Sequence, residues 1–374
     1  MVMNGRPHIL HVIDSLNPGG AERMAVEIAN ATDPNHYHVT IGITRSGQAL
    51  ACKLKNHVNL FCLGRRKRFE WPKLRQFQAY CQAERVDLLH VHGRSSLRFV
   101  AFVNFLSGFR MPAPLFHDHD GSEIEFNTAV PLYDRFLMRW FKPRYYVGVH
   151  PRMAERATST GLDQNQVKII RNAVDLDPYI HKKPCQLKSS SATPLGIIIA
   201  NIRPPKDIVL LLRALSLIKD LDWRVQVVGG VNDVGYWQYC QQLQKSLGLQ
   251  ERVSFIGRKL NVKPLLDVSD FALMSSCSES GPLVLLEYAA SGLPFVSTRV
   301  GAIGKTFEQY SVPEFVEPGN VTAFAAALRR LLQQLPAERE GRGQLGLRVV
   351  QELFDIQAVM PLWYQAYEGV LRKQ

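Results

Sequence analysis

The chain has 374 residues, of which 46% are hydrophobic and 21% are charged, with a formal net charge of +12 at pH 7. This composition is typical of a globular protein and excludes collagen-like, disulfide-stapled and intrinsically disordered chains. The length favours about two domains, each able to bury a core of its own. The sequence contains neither a signal-peptide pattern nor a run of about 20 apolar residues. We therefore expect a cytoplasmic protein that contacts a membrane at most peripherally, at its inner face.

Short β-rich runs alternate with helical patterns along the chain. In the first half, strands are predicted at "HILHVID", "YHVTIGIT", "VDLLHVHG" and "PLFHDHDG", and helices at "GGAERMAVEIANAT", "WPKLRQFQAYCQAE" and "SSLRFVAFVNFLSG". The polar stretch "PYIHKKPCQLKSSSATP" is typical of a linker. The alternation then restarts, with strands predicted at "LGIIIAN", "RVQVVGG", "RVSFIG", "DFALMSS", "LPFVSTRV" and "PEFVEPG".

This order of elements predicts an α/β protein with two doubly wound parallel sheets. Ligand sites are expected at the carboxyl ends of the strands and in a cleft between the two domains. The predicted parts are an N-terminal Rossmann-like domain over residues 1–175, a linker over 176–194, a second Rossmann-like domain over 195–350, and a C-terminal helix over 351–374 that packs back on the first domain.

The first chemically informative stretch is "IDSLNPGGAERM", where a predicted strand ends at Asp14 and a helix begins after Gly19 and Gly20. Glycines expose the backbone, and the amino end of a helix offers unpaired N–H groups, so this turn can bind an anion. The stretch is not the G-x-G-x-x-G dinucleotide motif. An ordinary strand-to-helix turn is the alternative interpretation.

The densest positive cluster is "GRRKRFEW". A solvated loop is the simplest interpretation of this cluster. Docking to an anionic membrane surface is the functional alternative, because aromatic side chains accompany the charges. Nucleic acid is not an expected partner, since no stacking module of a known RNA-binding type accompanies the cluster. The candidate membrane contacts are Arg65, Arg66, Lys67, Arg68, Phe69 and Trp71.

Two cations follow the first predicted strand of the second domain, in "ANIRPPKDIVLLLRAL". Arg203 offers a planar fork and Lys206 a point charge, and together they can clamp a diphosphate. A solvated pair near a helix start is the alternative. Because the helix dipole disfavours cations at that end, a bound anion would remove the penalty.

The stretch "SESGPLVLLEYAASGLP" places Glu279 in a turn before Pro282 and Glu287 on an apolar helix. A carboxylate on a buried helix face costs on the order of several kcal/mol unless it is hydrogen-bonded. Sugar and ribose hydroxyls are suitable partners, while the amides near Leu283 and Val284 can meet a phosphate. This arrangement indicates a sugar nucleotide. The alternative is that Glu287 points to solvent.

The two glutamates, with seven residues between them, resemble the E-x7-E motif of retaining GT-B glycosyltransferases, in particular the large glycosyltransferase family 4. The resemblance extends from "GGAERMAVEIA" through "NAVD", "NIRPPKD", "VVGG" and "VSFIG" to "WYQAYEGVLRK". It implies that the first domain binds mainly the acceptor and the second mainly the nucleotide-diphosphate sugar. The chain departs from the family pattern at Lys305, where an acid is frequent, and at the Ala-Asn-Ile stretch before Arg203.

The resemblance also implies a role for individual residues. Arg203 and Lys206 would bind the diphosphate, Glu279 the hydroxyls of the donor sugar, and Glu287 the ribose. The remaining donor contacts would be Gly19, Gly20, Gly229, Gly230, Ile256, Gly257, Arg258, Gly281, Pro282, Leu283 and Val284.

The family often has a histidine at the end of the strand that here reads "FHDHDG". His117 and His119 both fit this position, and alternation along a strand places both on one face. We take His119, which is nearer the loop, as the candidate, with a structural role as its alternative. His90 and His92, in "LLHVHG", are weaker candidates for the same end of the sheet.

The implied reaction is transfer of a hexosyl-type sugar from a UDP- or GDP-sugar to a hydroxyl of a glycan or lipid-linked acceptor, with retention at the anomeric carbon. Front-face attack needs no protein nucleophile, and no D-x-D-like motif indicates a metal, so neither metal nor cofactor is expected. The catalytic candidates are His119, Arg203, Lys206 and Glu279. The alternatives are a sugar phosphorylase, a nucleotide-sugar epimerase and a catalytically silent nucleotide- or membrane-binding protein.

Overall fold

A computed structural model describes residues 5–67, 70–108, 110–119, 130–180, 193–312 and 314–372. The chain divides into two compact units. The first comprises residues 1–173 and 356–374, and the second comprises residues 174–355.

The first unit contains a sheet of seven parallel strands in the order β3-β2-β1-β4-β5-β6-β7. Four of these strands agree with the sequence prediction to within three residues, whereas β3, β6 and β7 have no counterpart in it. The strands are β1 (His8–Ile13), β2 (His38–Ile43), β3 (Val58–Cys62), β4 (Leu88–His92), β5 (Pro114–Asp118), β6 (Tyr145–Gly148) and β7 (Val167–Ile169).

Helices follow the strands in the doubly wound manner. Those of the first 173 residues are α1 (Gly20–Ala31), α2 (Trp71–Ala83), α3 (Gly93–Leu106), α4 (Leu132–Trp140) and α5 (Pro151–Thr158), together with 3₁₀ turns at Ala51–Lys53 and Gln164–Gln166. The three helices predicted from periodicity correspond to α1, α2 and α3.

The second unit contains six parallel strands in the order β10-β9-β8-β11-β12-β13. Its central strands are apolar because both faces of the sheet are covered by helices. The strands are β8 (Leu195–Ile199), β9 (Arg224–Val228), β10 (Val253–Gly257), β11 (Phe271–Met274), β12 (Phe295–Thr298) and β13 (Glu314–Val316).

The helices of the second unit bury large side chains against this sheet, among them Tyr288, Phe307 and Phe324. Part of the predicted linker, residues 181–192, lies outside the described residues. The helices are α6 (Asp177–Ile180), α7 (Ile208–Ser216), α8 (Val234–Ser246), α9 (Lys263–Val268), α10 (Leu283–Ala290), α11 (Gly301–Gln309), α12 (Val321–Gln333) and α13 (Pro336–Leu353), with a 3₁₀ turn at Pro204–Lys206.

The last helix, α14 (Ile356–Leu371), belongs to the first unit. It packs against α1 and lies beside β4 and β5. Tyr364 accepts a hydrogen bond from the backbone of Asp33 at 3.0 Å, and the Tyr367 hydroxyl is 2.9 Å from Nδ1 of His90. Polar contacts therefore supplement the apolar packing of this helix.

The predicted fold class, α/β with two doubly wound parallel sheets, is confirmed. Each sheet reverses its strand order at one place, between β1 and β4 in the first unit and between β8 and β11 in the second. In open sheets of this kind, ligands bind outside the carboxyl ends of the strands at such a reversal. The loops after these four strands are therefore the places to look for a site.

Candidate functional site

Two residues predicted to bind the donor contact each other at the strand reversal of the second unit. Lys206 ends the 3₁₀ turn that follows β8, and Glu279 lies in the loop between β11 and α10. Their side chains form an ion pair in a partly buried position. Ser276 donates a hydrogen bond to Oε1 of the same carboxylate at 2.8 Å. A cation and an acceptor of hydroxyl hydrogens are thus held side by side.

The two loops that carry this pair are also joined through their backbones. The N–H of Cys277 donates to the carbonyl of Pro205 at 2.9 Å, and the hydroxyl of Ser275 donates to the carbonyl of Lys206 at 2.9 Å. These bonds fix the ends of β8 and β11 relative to each other. Arg203 is exposed at the start of the same turn.

The amino end of the helix that follows Arg203 and Lys206 is capped by an acid, which the sequence analysis did not predict. Helix α7 begins at Ile208, and its N-cap is Asp207, whose carboxylate accepts a hydrogen bond from Leu210 N–H at 3.0 Å. An acid therefore already stabilises the amino end of α7, so the predicted penalty of cations at a helix start does not apply to Lys206. Asp207 adopts a left-handed conformation, with φ of 42°, which turns the chain between Lys206 and the helix.

Glu287 is buried, with 1% of its surface exposed, on α10 among fully buried residues such as Leu286 and Tyr288. The alternative in which Glu287 points to solvent is therefore wrong. The predicted amino end of this helix is also observed, because Pro282 is the N-cap and Leu283 the first helical residue. Leu283 and Val284 are partly buried there.

A second loop closes on the same turn. Gly301, the first residue of α11, has φ of +76°, and a Cβ there would lie 2.8 Å from Cδ of Pro282. The N–H of Ala302 donates to the carbonyl of Ser280 at 3.0 Å. A larger residue at position 301 would push the loop of Glu279 and Gly281 away. Gly301 is not among the predicted site residues, although its position directly after the predicted strand "LPFVSTRV" was a usable signal.

The ends of β8, β9 and β10 form the other part of this edge. A Cβ at Gly229 would overlap the carbonyl of Ala200, so only glycine fits at this crossing. The N–H of Gly230 donates to the side-chain oxygen of Asn201 at 3.2 Å. The Arg258 guanidinium lies 2.6 Å from the place a Cβ of Gly230 would occupy. Asn201 lies two residues after β8, in the Ala-Asn-Ile stretch that departs from the family pattern, and sequence reasoning gave it no role.

A local irregularity at the end of β10 determines the positions of residues 256 to 258. The register with β9 shifts between Phe255 and Gly257, and Gly257 has φ of +75°. Ile256 is partly buried, whereas Arg258 is exposed. The bulge turns the chain so that the Arg258 side chain reaches Asn232, at 3.4 Å.

At the reversal in the first unit, Asp14 organises the end of β1. Its carboxylate accepts hydrogen bonds from Thr44 and Ser95, both at 2.6 Å, and from Arg65 at 2.7 Å. Arg45 lies 3.3 Å away. Burial alone would raise the pKa of Asp14, but the two hydroxyl hydrogen bonds and the arginine charges outweigh it and lower that pKa.

This network corrects the predicted membrane segment. Arg65 is only 4% exposed, pairs with Asp14 and lies over the ring of Phe99, so its side chain does not form part of an exposed docking surface. Arg66 and Lys67 are exposed, as is Trp71 at the start of α2. Arg68 and Phe69 lie outside the described residues.

The predicted glycine turn has an acidic neighbour. Gly19 is the extended N-cap of α1, and α1 begins at Gly20. The Glu22 carboxylate folds back over Gly19, so a Cβ there would overlap it. Burial and the nearby Asp14 raise the pKa of Glu22. An anion at this turn would have to displace the carboxylate or meet it in its protonated form.

Five histidines lie together on one face of the first sheet. His11, His92 and His119 form a hydrogen-bonded row, with ring nitrogens 3.0 Å and 3.1 Å apart. Both pairs of neighbouring rings are nearly coplanar, with angles of 17° between the planes. His90 and His117 form a second, longer contact of 3.4 Å beside this row.

Burial keeps these rings neutral. It lowers the pKa of His11 and of His119 to about 3. The pKa values of His90, His92 and His117 are also lowered well below 6.5, by burial and by the neighbouring histidines. His119 is the partly exposed member, whereas His117 is fully buried and its Nε2 has no hydrogen-bond partner within the described ranges.

Two trios within this cluster have ring nitrogens within 4.8 Å of one another, the separation expected of metal ligands. A nitrogen lone pair lies in the plane of its ring, and several of these rings are nearly parallel, as His90 and His92 are at 20°. The His90 and His92 rings are stacked with their centroids 4.2 Å apart, so their lone pairs lie in separate planes and do not meet at one ion unless a ring rotates. The trios are His11, His90 and His92, and His92, His117 and His119.

None of the helices in the described part of the chain is both long enough and apolar enough to cross a membrane.

Most of the chain matches two known families of glycosyltransferases. Residues 18–178 match the family described as Glycosyltransferase Family 4, and residues 193–334 match Glycosyl transferases group 1. The first match covers residues 18–173 of the first unit and the first five residues of the second, and the second match lies within the second unit.

Curated relatives share part of this similarity. The chain is 30% identical over 213 residues to N-acetyl-alpha-D-glucosaminyl L-malate synthase of Bacillus anthracis, which is 55% of this chain and 54% of that protein. It is 29% identical over 191 residues to D-inositol 3-phosphate glycosyltransferase of Rhodococcus opacus, with coverage of 46% and 42%. The chain thus spans about half the length of the curated relatives it matches.

Solved structures show the fold. HepE of Anabaena, in complex with UDP and glucose, superposes with a TM-score of 0.81 at 18% identity, covering 96% of this chain and 99% of that one. TarM of S. aureus gives a TM-score of 0.75 at 12% identity, with coverage of 96% and 99%. With both units matched, the chain belongs to glycosyltransferase family 4 and has the GT-B fold.

Proposed function

We propose that this protein is a glycosyltransferase that moves a hexosyl-type sugar from a nucleoside-diphosphate sugar to a hydroxyl acceptor, with retention and without a metal ion. The observation that carries the proposal is the Lys206–Glu279 ion pair at the strand reversal of the second unit. Membership of family 4 supports it, as do the relatives named N-acetyl-alpha-D-glucosaminyl L-malate synthase and D-inositol 3-phosphate glycosyltransferase.

The second unit would bind the donor. Arg203 and Lys206 would hold the diphosphate, and Glu279 would accept hydrogen bonds from the sugar hydroxyls while it stays paired with Lys206. Glu287, buried on α10, would reach the ribose. The carboxyl edges of β9 and β10, with Gly230 and Arg258, would lie along the nucleotide. HepE, a structural neighbour, was solved with UDP-glucose, which favours a uridine donor as the first to test.

In such a transfer, the bond between the anomeric carbon and the phosphate oxygen breaks as the acceptor oxygen attacks. The leaving diphosphate gains negative charge, and a fixed cation at this place stabilises that charge more than it stabilises the intact donor. Lys206 is fixed by Glu279 and by the bond of its carbonyl to Ser275. The proton of the acceptor would pass to the leaving phosphate itself.

His119 is the candidate of the first unit for contact with the reacting sugar. Its ring is neutral at pH 7 and hydrogen-bonded to His92. A neutral imidazole can donate one hydrogen bond and accept one, and it carries no charge. His119 would therefore orient a hydroxyl rather than supply a proton.

The acceptor would be a glycan or a lipid-linked glycan. Of the predicted membrane contacts, Arg66, Lys67 and Trp71 remain available at the surface. Peripheral contact with the inner face of a cell membrane would place the enzyme beside such an acceptor.

A thermal-shift series tests the proposed function. The purified chain is heated with UDP, GDP, ADP and their common sugars, because a ligand bound only by the folded state raises the apparent melting temperature. We expect one nucleotide to stabilise the protein and Lys206→Ala to lose most of that shift, whereas Lys245→Ala, on exposed α8, keeps it. No shift with any nucleotide would contradict the proposal.

A further inference from the structure

The outer face of α4 has the reverse of the usual polarity. Leu132 is 82% exposed, Phe136 56% and Trp140 62%, whereas Asp134 is buried on the inner side of the same helix. Asp134 accepts hydrogen bonds from Arg98 at 2.5 Å and from Arg94 at 3.4 Å. These bonds explain why the helix turns its acid inward. Its apolar residues are then left facing outward.

The exposed side chains form one continuous surface with α3. The rings of Phe136 and Trp140 stack 5.5 Å apart, and the Arg98 guanidinium lies over Tyr133 at 5.3 Å. Phe105, near the end of α3, is also exposed. A groove of about 520 Å³ lies along the two helices, and its lining combines aromatic side chains, among them Phe105, Phe136 and Trp140, with Arg45, Arg65 and Arg98. An apolar surface of this kind marks a binding site on most proteins.

The charge around this surface is positive. Arg135 and Arg139 alternate with the apolar residues of α4 and are exposed, and Lys142 follows the helix. The single acid of α4, Asp134, is buried and paired, so no negative charge of this helix faces outward. A helix with outward aromatic residues and arginines fits a lipid surface that is apolar within and anionic at its headgroups.

We propose that α4 and the adjoining end of α3 bind an anionic lipid bilayer, with Phe105, Phe136 and Trp140 entering the headgroup region. Tryptophan and tyrosine favour this region because their rings are apolar with one polar atom. Arg135, Arg139 and Lys142 contact the lipid phosphates, and the groove between α3 and α4 receives part of an acyl chain. Arg65, which is buried and paired with Asp14, lines the groove but is not one of the contacts with lipid phosphates.

The proposal rests on the proposed function only where it places a lipid-linked acceptor in the same membrane. Binding to vesicles needs no donor and no turnover, so it can be measured separately. If vesicles bind and nucleotides do not, the lipid surface stands and the proposed function fails. If nucleotides bind and vesicles do not, the lipid surface fails and the proposed function stands.

The first test is co-sedimentation of the full chain with vesicles of phosphatidylcholine, alone or mixed with an equal part of phosphatidylglycerol. We expect binding to the mixed vesicles. A Phe136→Ser/Trp140→Ser variant should bind about tenfold more weakly or worse, because each apolar side chain taken out of water contributes on the order of a factor of ten. The matched control, Val234→Ser/Tyr239→Ser, removes exposed apolar side chains from α8 and should bind as the wild type does.

The charge contribution is tested with Arg135→Gln and Arg139→Gln. Each should weaken binding to the mixed vesicles by about fivefold and leave weak binding to pure phosphatidylcholine unchanged. All four substituted side chains are exposed, and the hydrogen bond that Arg135 donates to the carbonyl of Ser159 at 3.0 Å lies at the surface, so we expect melting temperatures close to that of the wild type. Equal binding of the wild type and the Phe136→Ser/Trp140→Ser variant would overturn the proposal.

Insertion itself is visible in tryptophan fluorescence. Brominated lipids should quench the emission of the wild type, and Trp140→Phe, which keeps an aromatic contact, should bind vesicles but lose most of the quenching.

Sedimentation velocity tests whether a second copy of this chain, instead of a lipid bilayer, covers the exposed face of α4. A dimer that is abolished by Phe136→Ser/Trp140→Ser, together with no vesicle binding, would assign the face to a second copy of this chain and overturn the lipid proposal.

Discussion

Lys206 and Glu279 form an ion pair although 73 residues separate them in the chain. The contact joins the loop after β8 to the loop after β11, the two strands between which the sheet order reverses. Ser276 and the backbone bond between Cys277 and Pro205 hold the same loops. The pair is therefore a fixed element of the second unit.

Lys206→Ala should weaken binding of a nucleoside diphosphate but leave binding of the bare nucleoside unchanged. A hydrogen bond to a charged group contributes about 1.5–3 kcal/mol, so the loss of affinity should be roughly 10- to 150-fold. Titration calorimetry with UDP, UMP and uridine, or the corresponding series of the preferred base, gives both quantities. An equal loss for uridine and UDP would show that the variant disturbs the loop and does not remove a phosphate contact.

Glu287→Gln should retain the fold and lose donor affinity. The side chain keeps its size in a nearly fully buried position, so the melting temperature should stay close to that of the wild type, whereas a ribose hydrogen bond to a charged acceptor would weaken by about 1.5 kcal/mol or more. Differential scanning calorimetry and a binding titration check the two statements. Full donor affinity in the glutamine variant would show that the Glu287 carboxylate does not contribute to donor binding.

Gly229 and Gly230 are adjacent, yet they should respond differently to alanine. A Cβ at Gly229 overlaps the carbonyl of Ala200, which belongs to the backbone, whereas a Cβ at Gly230 meets the flexible Arg258 side chain. Gly229→Ala should therefore destabilise the protein by about 3 kcal/mol or more, and Gly230→Ala by less than about 1 kcal/mol. Urea unfolding of the two variants makes the comparison, and equal costs would contradict it.

Stability should fall as the pH is lowered through the ordinary histidine pKa of 6.5. Burial holds the pKa values of His11 and His119 near 3 in the folded state, so below pH 6.5 the unfolded chain binds more protons than the folded chain. Stability is then lost with decreasing pH, by about 1 kcal/mol per histidine between pH 7 and 5.5. Urea midpoints at the two pH values measure this.

A variant at His11 separates the contribution of the buried histidines to the pH dependence of stability from that of other titrating groups. Replacing the buried His11 with phenylalanine should reduce the pH dependence, since one buried group no longer gains a proton on unfolding. His36→Gln, which changes an exposed histidine paired with Asp33, should leave the contribution of the buried histidines unchanged. An identical pH dependence of the wild type and His11→Phe would contradict the assignment.

The β-α alternation was predictable because apolar runs of five or six residues separate amphipathic helices along most of the chain. Three strands of the first unit were not predicted. β7 has only three residues, and β3 carries the polar Asn59 between its apolar residues and lies at the edge of the sheet. The predicted bounds of the domains and the roles of the site residues stay predictions.

Helix α4 shows a different limit. The face of α4 that is buried is the one on which Asp134 pairs with arginines of α3. The apolar residues that periodicity would assign to the core are therefore exposed. Similarly, the local spacing of "LLHVHG" and "FHDHDG" predicts histidines on one face, but only the register of β1 with β4 brings His11 beside His90. Contacts between distant segments decide both features.

The measurement that tests the central claim most directly is release of nucleoside diphosphate from each common UDP-, GDP- and ADP-sugar by the wild type and by Lys206→Ala. Donor hydrolysis requires no acceptor, so it can be followed before the acceptor is known. We predict release from one donor by the wild type, without added metal or inorganic phosphate, and at least about tenfold slower release by the variant. No release from any donor above that of Lys206→Ala, or release of sugar phosphate only when inorganic phosphate is added, would contradict the account.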